Sequence, residues 1–175
     1  MYRIVKKETL NPSVNLYEIE APMTAKTAQP GQFVILRSHK DGERIPITIH
    51  DCDREKGTVT IIVQTVGVAT ERLRHMEQGE FLEDFVGPLG RPTEIEGNKK
   101  VCVIGGGVGC AIAYPVLKKF HDCGAEVHAI AGFRNRDMVI LEEKFRSVSD
   151  LFRLCTDDGS YGEKGLVTDA LRDLL

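Results

Sequence analysis

A chain of 175 residues with 42% hydrophobic content has room for one domain or two small ones, each able to bury a core. Its formal charge of -3, with lysine and arginine scattered along the chain, provides no basic field for nucleic acid. There is no run of about 18 apolar residues to span a membrane, and the opening MYRIVKKETL lacks the apolar core of a signal peptide, so a cytoplasmic location is expected.

Residues 1 to 95 show the period-two alternation of half-buried strands. YRIVKKETL and VNLYEIEA come first, then GQFVILRSH, RIPITIHD, GTVTIIVQTV and GEFLEDFVG, with turn clusters HKDGE, DREKG and MEQGE between the later ones. Six short strands with this punctuation predict a small antiparallel β-barrel. Within RIPITIHD, Pro46 removes a ladder donor, so the strand is expected at an edge or open at one end. Arg44 has the fork geometry for a phosphate. Thr48 offers a hydroxyl, with Ile45 and Ile47 apolar on the other face, and a flat ring fits against such a strand. His50, beside Asp51 and Cys52, reads as a surface group flanking a turn, because adjacent strand residues face opposite ways. One segment, TERLRHME, breaks the pattern. Leu73 and Met76 stand at helical spacing and Thr70 stands where an N-cap belongs. With Gly67 just before it, this helix start is a candidate phosphate site, and an ordinary capped surface helix is the alternative.

GPLGRPTEIEGNKK, with two prolines and three glycines, is the predicted hinge. Beyond it KVCVIGG reads as a buried parallel strand, GCAIAYPVLKKFHDCG as a helix ending at Gly124, AEVHAIAGF as a second strand and DMVILEEKFRS as a second helix. DLFRLCTDDG and GLVTDALRDLL complete a βαβαβα pattern, half of a doubly wound sheet. The stretch GGGVGC fails the G-x-G-x-x-G/A dinucleotide fingerprint at Cys110, and the second strand ends without the acid that takes a ribose hydroxyl. Its glycines still permit close backbone approach to a phosphate at the helix start. The five cysteines contain no C-x-x-C pair and lie mostly in apolar runs, as reduced, buried packing residues do, and no metal site is expected. Asp157 and Asp158 read as a solvated strand end rather than a catalytic pair.

The segments PGQFV, RIPITI, TIIVQTVGVATERL, GPLG, GGGVG, GFRNRDMVILEEKF and TDDGSYGEKGLVTDAL occur in that order across the whole chain. Together they resemble the ferredoxin–NADP reductase superfamily. Within it they are similar to electron-transfer subunits of the dihydroorotate dehydrogenase and sulfide dehydrogenase type, and to small subunits of NADH-dependent reduced ferredoxin:NADP oxidoreductases. The resemblance implies an FAD-binding barrel over residues 1–95 and an incomplete NAD(P)-binding α/β domain over residues 96–175. It implies that Ile45, Pro46, Ile47 and Thr48 contact the flavin, with Thr48 hydrogen-bonded near the ring's N5 as the catalytic contact. Ile62, Val63 and Gln64 match the next flavin-lining strand, and Gly67, Ala69 and Thr70 the turn holding the FAD pyrophosphate. Gly105, Gly106, Gly107, Val108 and Gly109 match the nicotinamide-dinucleotide turn, and Gly132, Phe133 and Arg134 a segment on its adenosine side. Many relatives place Arg directly before the proline, where this chain has Ile45, and Gly before the threonine, where it has Ala69.

The implied role is electron transfer between NAD(P)H and FAD and onward to an iron–sulfur centre or partner subunit. A non-catalytic flavin-carrying or interaction module, an electron-transfer subunit of dihydroorotate dehydrogenase, a reductase of the same fold that uses FMN or serves a different acceptor, and two small domains with no cofactor are the alternatives. The implied partners are a larger catalytic flavoprotein subunit and ferredoxin or another redox protein. The ligands of the family's [2Fe–2S] cluster fall beyond residue 175. Half of a doubly wound sheet leaves the strand Val101 to Ile104 with a bare apolar edge, so the chain is expected to be a piece of a longer protein or to have that edge covered by another chain.

Overall fold

A computed structural model describes residues 1–175, which divide into two compact units, Met1–Thr93 and Glu94–Leu175. No helix is long and apolar enough to cross a membrane.

The first unit runs β1 (Tyr2–Asn11), β2 (Val14–Glu20), α1 (Pro22–Thr27), β3 (Phe33–Arg37), β4 (Ile45–Asp53), β5 (Thr58–Gln64), α2 (Val68–His75), β6 (Phe81–Leu82) and β7 (Asp84–Leu89). The strands form one antiparallel sheet in the order β6-β1-β2-β5-β4-β3-β7. Its two outer strands are consecutive in the chain with only Glu83 between them, so the backbone itself spans the open side of a nearly closed barrel. The predicted barrel is present with seven strands rather than six, because GEFLEDFVG breaks into two at Glu83. Alternation sets the core. Val34 and Leu36, Val59, Ile61 and Val63, and Tyr17 and Ile19 all point inward with Ile4, Leu73, Leu82 and Phe85. Each side chain buried this fully contributes roughly 1.5–3 kcal/mol.

Helix α1 was not predicted. It is six residues long, begins with Pro22 at its first turn, and buries only Thr24 and Ala25. The Thr24 hydroxyl donates to the Gly87 carbonyl at 3.0 Å.

Strand β4 is not an edge strand, but it changes partner. Ile45 to Thr48 pair with β3, whereas Ile49 to Asp53 pair with β5. Pro46 lies in the half that is free on one side, which is where a missing N–H is tolerated. The register slips between Ile49 and Asp51, a bulge at His50. The bulge defeats strict alternation, so Ile49 and His50 are both buried. His50, 1% exposed, is an interior residue and not the expected turn-flanking surface group.

The second unit runs β8 (Lys100–Gly106), a 3-10 turn (Gly107–Gly109), α3 (Cys110–Asp122), β9 (Glu126–Phe133), a 3-10 turn (Arg136–Met138), α4 (Glu142–Ser147), β10 (Leu151–Thr156), β11 (Glu163–Lys164) and α5 (Val167–Arg172). Its sheet is parallel, in the order β11-β10-β9-β8, which places β8 at one end. Cys110, Ala113, Tyr114, Leu117 and Phe120 are the buried face of α3 at helical spacing, and Gly124 ends it at φ +80°. On the opposite sheet face α5 packs Ala170, Val167 and Leu171 on Ile130 and Cys155. Arg153 ties β10 to α5 by donating to the Ala170 carbonyl (2.7 Å) and to Asp173 (3.0 Å), and pairs with Glu163 of β11.

The helix predicted from Asp137 to Ser147 is interrupted. Val139 is extended, Ile140 is buried, and Leu141 turns left-handed at φ +62°, so only Glu142–Ser147 is α-helical. The cysteine expectation is corrected in part: Cys110 and Cys155 are buried, Cys52 is half-buried, and Cys102 and Cys123 are exposed.

Candidate functional site

In the first unit the candidate residues meet at a fork. Strands β4 and β5 are laddered together only from Ile49 and Ile61 onward. On the other side of that point, Ile45 to Thr48 follow β3 while Ile62 to Gln64 follow β2. All seven residues proposed for the flavin strands therefore line the two arms of one split, and no ladder joins the arms. Backbone N–H and C=O groups seek partners, and a flat ring edged with donors and acceptors is the kind of group that such a split accommodates.

The side chains refine the assignment. Ile45, Ile47 and Val63 pack on the barrel core, so their contribution to the fork is backbone. Pro46 and Thr48 alternate with them and face the other way.

At the end of β5 the chain enters α2. Thr70 is not the N-cap. Gly67 is, and Thr70 is the third helical residue, reaching back to it. Its hydroxyl oxygen accepts from the Val66 N–H (2.9 Å) and the Gly67 N–H (3.0 Å) and donates to the Gly67 carbonyl (2.9 Å). A hydroxyl has one proton and two lone pairs, so this one is fully used. What the turn presents to an anion is backbone: the N–H groups of Val68, Ala69 and Thr70, which precede the first i−4 carbonyl, while Glu71 N–H already bonds Gly67 at 2.9 Å. Gly67 is extended (φ −169°, ψ −178°), a conformation open to any residue, and a β-carbon there would meet nothing within 4 Å. Neither its backbone angles nor its packing requires glycine here, and the space above it is open. Ala69 lies inside the helix and has no need to be glycine.

Arg44 lies just outside β4. Its Nη2 is 2.9 Å from Asp84 Oδ2, which also takes Arg37 Nε at 2.8 Å. Hydrogen bonding from Arg37, reinforced by the charges of both arginines, holds the Asp84 carboxyl below the usual carboxylate range. Arg44 thus has a carboxylate partner where a phosphate was expected, and Asp84 pins both ends of the β3–β4 loop.

Sequence reasoning missed a groove of about 560 Å³ along the outer side of α2, lined by the loop from Thr65 to Gly67 and by Val68, Glu71, Arg72 and His75. Its signal was two valines flanking a glycine next to a polar helix. Val66 and Val68 are 78% and 69% exposed.

In the second unit the glycines of GGGVG separate by role. A β-carbon at Gly105 would lie 2.9 Å from Cys110 Sγ and 3.0 Å from its Cα, so this glycine lets α3 pack on β8. Gly107 has φ +52° and makes the turn. Gly106 and Gly109 have ordinary backbone angles and open space around them. They clear the ground above the N–H groups that start the helical run, with Val108 between them, as a phosphate site requires.

At the end of β9 the three candidates diverge. A β-carbon on Gly132 would lie 2.4 Å from Val167, so Gly132 serves the packing of α5. Phe133 is buried in the core at 4% exposure. Only Arg134 turns its side chain to solvent. Beside it Arg136 stands over the Tyr161 ring at 5.5 Å, and its N–H donates to Ser160 Oγ at 2.9 Å. Asp157 and Asp158 are exposed and close the turn through N–H bonds to the Phe133 and Arg134 carbonyls. Hydrogen bonds from Ser160 hold the Asp158 carboxyl below its usual range. No cluster of three His, Cys, Asp or Glu side chains is arranged to hold a metal ion.

No protein-family model matches the chain. It is 43% identical over 171 residues to a Thermotoga maritima protein named dihydroorotate dehydrogenase B (NAD(+)), electron transfer subunit homolog, covering 98% of this chain and 60% of the relative. Among solved structures, an NADH-dependent reduced ferredoxin–NADP oxidoreductase studied for flavin-based electron bifurcation superposes with a TM-score of 0.93 at 40% identity, over 99% of this chain and 63% of that one. The Amycolatopsis cytochrome P450 reductase GcoB matches with a TM-score of 0.83 at 20% identity, over 99% and 57%, and shares the fold. The chain spans about three fifths of the length of the curated relatives it matches.

Proposed function

Because this chain is a ferredoxin reductase-like protein, related along its length to electron-transfer subunits of the dihydroorotate dehydrogenase B type, we propose that it is a flavoprotein electron-transfer subunit. Residues 1–95 form the FAD domain and residues 96–175 part of the nicotinamide-dinucleotide domain. The observation that carries the reading is the fork between β4 and β5, which leads within three residues to unused N–H groups at the start of α2.

When bound, FAD supplies hydride acceptance and one-electron release. The chain's own residues hold and orient it. The backbone of Ile45, Ile47, Ile62 and Val63 offers hydrogen bonds to the ring edge, and Pro46 forms an apolar outer surface. The Thr48 hydroxyl donates at the ring edge near N5. The N–H groups of Val68, Ala69 and Thr70 take the pyrophosphate, with Gly67 clearing their approach. In the second unit Gly106 and Gly109 admit the phosphates of NAD, the dinucleotide in the Thermotoga relative's name, and Arg134 contacts the adenosine side. No side chain of this chain acts as a general acid or base. The onward acceptor would be an iron–sulfur centre or a partner subunit, as in the electron-transfer subunits this chain is related to.

The test is reconstitution. The purified protein incubated with FAD is expected to stay yellow after gel filtration, and anaerobic NADH to bleach it. A folded protein that remains colourless refutes the flavin reading. A yellow protein that NADH does not bleach supports the alternative, a flavin carrier whose chemistry belongs to its partner.

A further inference from the structure

Helix α2 is eight residues long, too short to be stable in water on its own, and only Thr70 and Leu73 of it are buried. Its C-terminal end is held by two side chains that have no part in the site described so far. The last carbonyls of a helix have no partner within it. The Leu73 carbonyl accepts the Tyr17 hydroxyl at 3.0 Å, beside the Met76 N–H at 3.0 Å. The next carbonyl, that of Arg74, accepts the Lys7 ammonium at 2.8 Å. Lys7 also pairs with Glu77 at 2.7 Å, just past the helix. Lys7 and Tyr17 are direct cross-strand partners on β1 and β2, so their side chains leave the sheet on one face, side by side. Tyr17 is fully buried, and the Lys7 side chain is only 13% exposed.

Holding a lysine this far out of water and in one rotamer is costly. The pair with Glu77 is a weak return for it, because Glu77 is 71% exposed and such pairs contribute little. The bond to the Arg74 carbonyl does more. Consecutive residues of a helix stand about 100° apart around its axis, so bonds to carbonyls 73 and 74 fix its rotation as well as its position. A helix also carries partial negative charge at its C-terminal end and partial positive charge at its N-terminal end. A cation on the Arg74 carbonyl offsets the first and leaves the second to act. We propose that Lys7 and Tyr17 are positioning residues for the phosphate turn: through α2 they keep the free N–H groups of Val68, Ala69 and Thr70 aimed at the open space beside Gly67, and Lys7 adds favourable charge about 12 Å behind them. This role rests on the flavin reading of the first unit, which makes that turn the pyrophosphate site.

The experiment titrates the isotope-labelled apoprotein with FAD and with inorganic pyrophosphate, and follows the Val68, Ala69 and Thr70 amides by NMR in wild type, Lys7→Met, Lys7→Arg and Tyr17→Phe. Both ligands are expected to shift these amides in wild type. Lys7→Met keeps the aliphatic stem and is expected to weaken both ligands about three- to tenfold. Tyr17→Phe deletes one neutral bond and is expected to weaken them about two- to fivefold. Lys7→Arg keeps the charge and is expected to stay within about twofold of wild type. Hydrogen exchange at Ile62 and Val63, on the fork, is expected to match wild type in all three variants, which a general loosening of the barrel would not allow. Unchanged pyrophosphate affinity in Lys7→Met and Tyr17→Phe, a loss that arginine does not restore, or a loss accompanied by faster exchange at Ile62 and Val63 overturns the positioning role while the flavin reading stands. Tyr17→Phe decides alone where Lys7→Met does not fold. A wild type that binds FAD without shifting the three amides removes the phosphate turn and this inference with it. A folded wild type that binds no FAD removes the flavin reading as well.

Discussion

Replacing Thr70 by valine keeps its shape and deletes its hydroxyl. In the wild type that hydroxyl accepts two backbone N–H bonds and donates one, all at 2.9–3.0 Å, and Thr70 is 8% exposed. Loss of a helix-start hydroxyl ordinarily costs about 1 kcal/mol, within a range of about 0.5–2. A donor left unpaired inside the protein costs about 1–3 kcal/mol. Val66 and Gly67 are exposed, so their released N–H groups reach water and the lower figures apply. The Gly67 carbonyl keeps its bond from Glu71. The expected loss is therefore about 1.5–2 kcal/mol, an increase of about 10- to 30-fold in local opening. Hydrogen exchange read by NMR measures it directly: the Val66 and Gly67 amides should lose protection in Thr70→Val and keep it in Thr70→Ser. If both amides stay protected in Thr70→Val, the hydroxyl is not what orders this turn. If the serine variant opens as much as the valine one, the methyl group is responsible instead.

Tyr17 donates to the Leu73 carbonyl at 3.0 Å, and burial, reinforced by Glu77, pushes its hydroxyl up to about 12. Its unfolded value is near 10, so stability is unaffected below pH 10 and falls by about 2–3 kcal/mol as pH rises from 10 to 12; urea titrations should show this slope in wild type and a smaller one in Tyr17→Phe. Gly105→Ala must displace Cys110 and should cost about 1–3 kcal/mol. Gly106→Ala should change stability by less than about 0.5 kcal/mol and weaken NADH binding by calorimetry; equal stability losses at the two positions would contradict the division of roles. Cys102 and Cys123 are exposed, while burial pushes the Cys110 thiol up to about 12. Iodoacetamide at pH 8 should label the first two and spare Cys110 and Cys155, as mass spectrometry of the folded protein would show.

The barrel was legible because strand alternation is a local pattern, and GTVTIIVQTV displays it with Val59, Ile61 and Val63 inward. The parallel half was legible for a different reason, the continuous apolar run before a glycine turn. What escaped were features set by neighbours. His50 is buried because β4 slips one residue as it changes partner from β3 to β5, and a slip leaves no trace in the strand's own composition. The helix expected from Asp137 begins only at Glu142, because Val139 is extended and Leu141 is left-handed beside the buried Ile140, a local backbone choice that helical spacing does not show. Thr70 was recognised as a capping residue but assigned to the N-cap, three positions too early in the motif, because a hydroxyl can close a helix start either from the N-cap or from the third residue. The groove escaped because exposed valines are common on surfaces; only the empty space around Gly67 makes these two informative.

Gly67 and Gly106 share a property that separates them from most glycines of the chain: ordinary backbone angles and no atom within 4 Å of the missing β-carbon. Each stands directly before a helical run whose first N–H groups lack partners. The two turns reach that state by different means. Before α2 a side chain does it, since the Thr70 hydroxyl satisfies the N–H groups of Val66 and Gly67 and leaves only those of the helix's first turn. Before α3 no side chain caps the helix, and the backbone does it through Gly107 at φ +52° and Gly105 against Cys110. Two separate solutions to the same geometric requirement are hard to derive from packing, which would have filled both spaces with methyl groups at a gain in stability. Room for a phosphate at each turn explains both, and it predicts that alanine at either glycine is tolerated by the fold and resisted by the ligand.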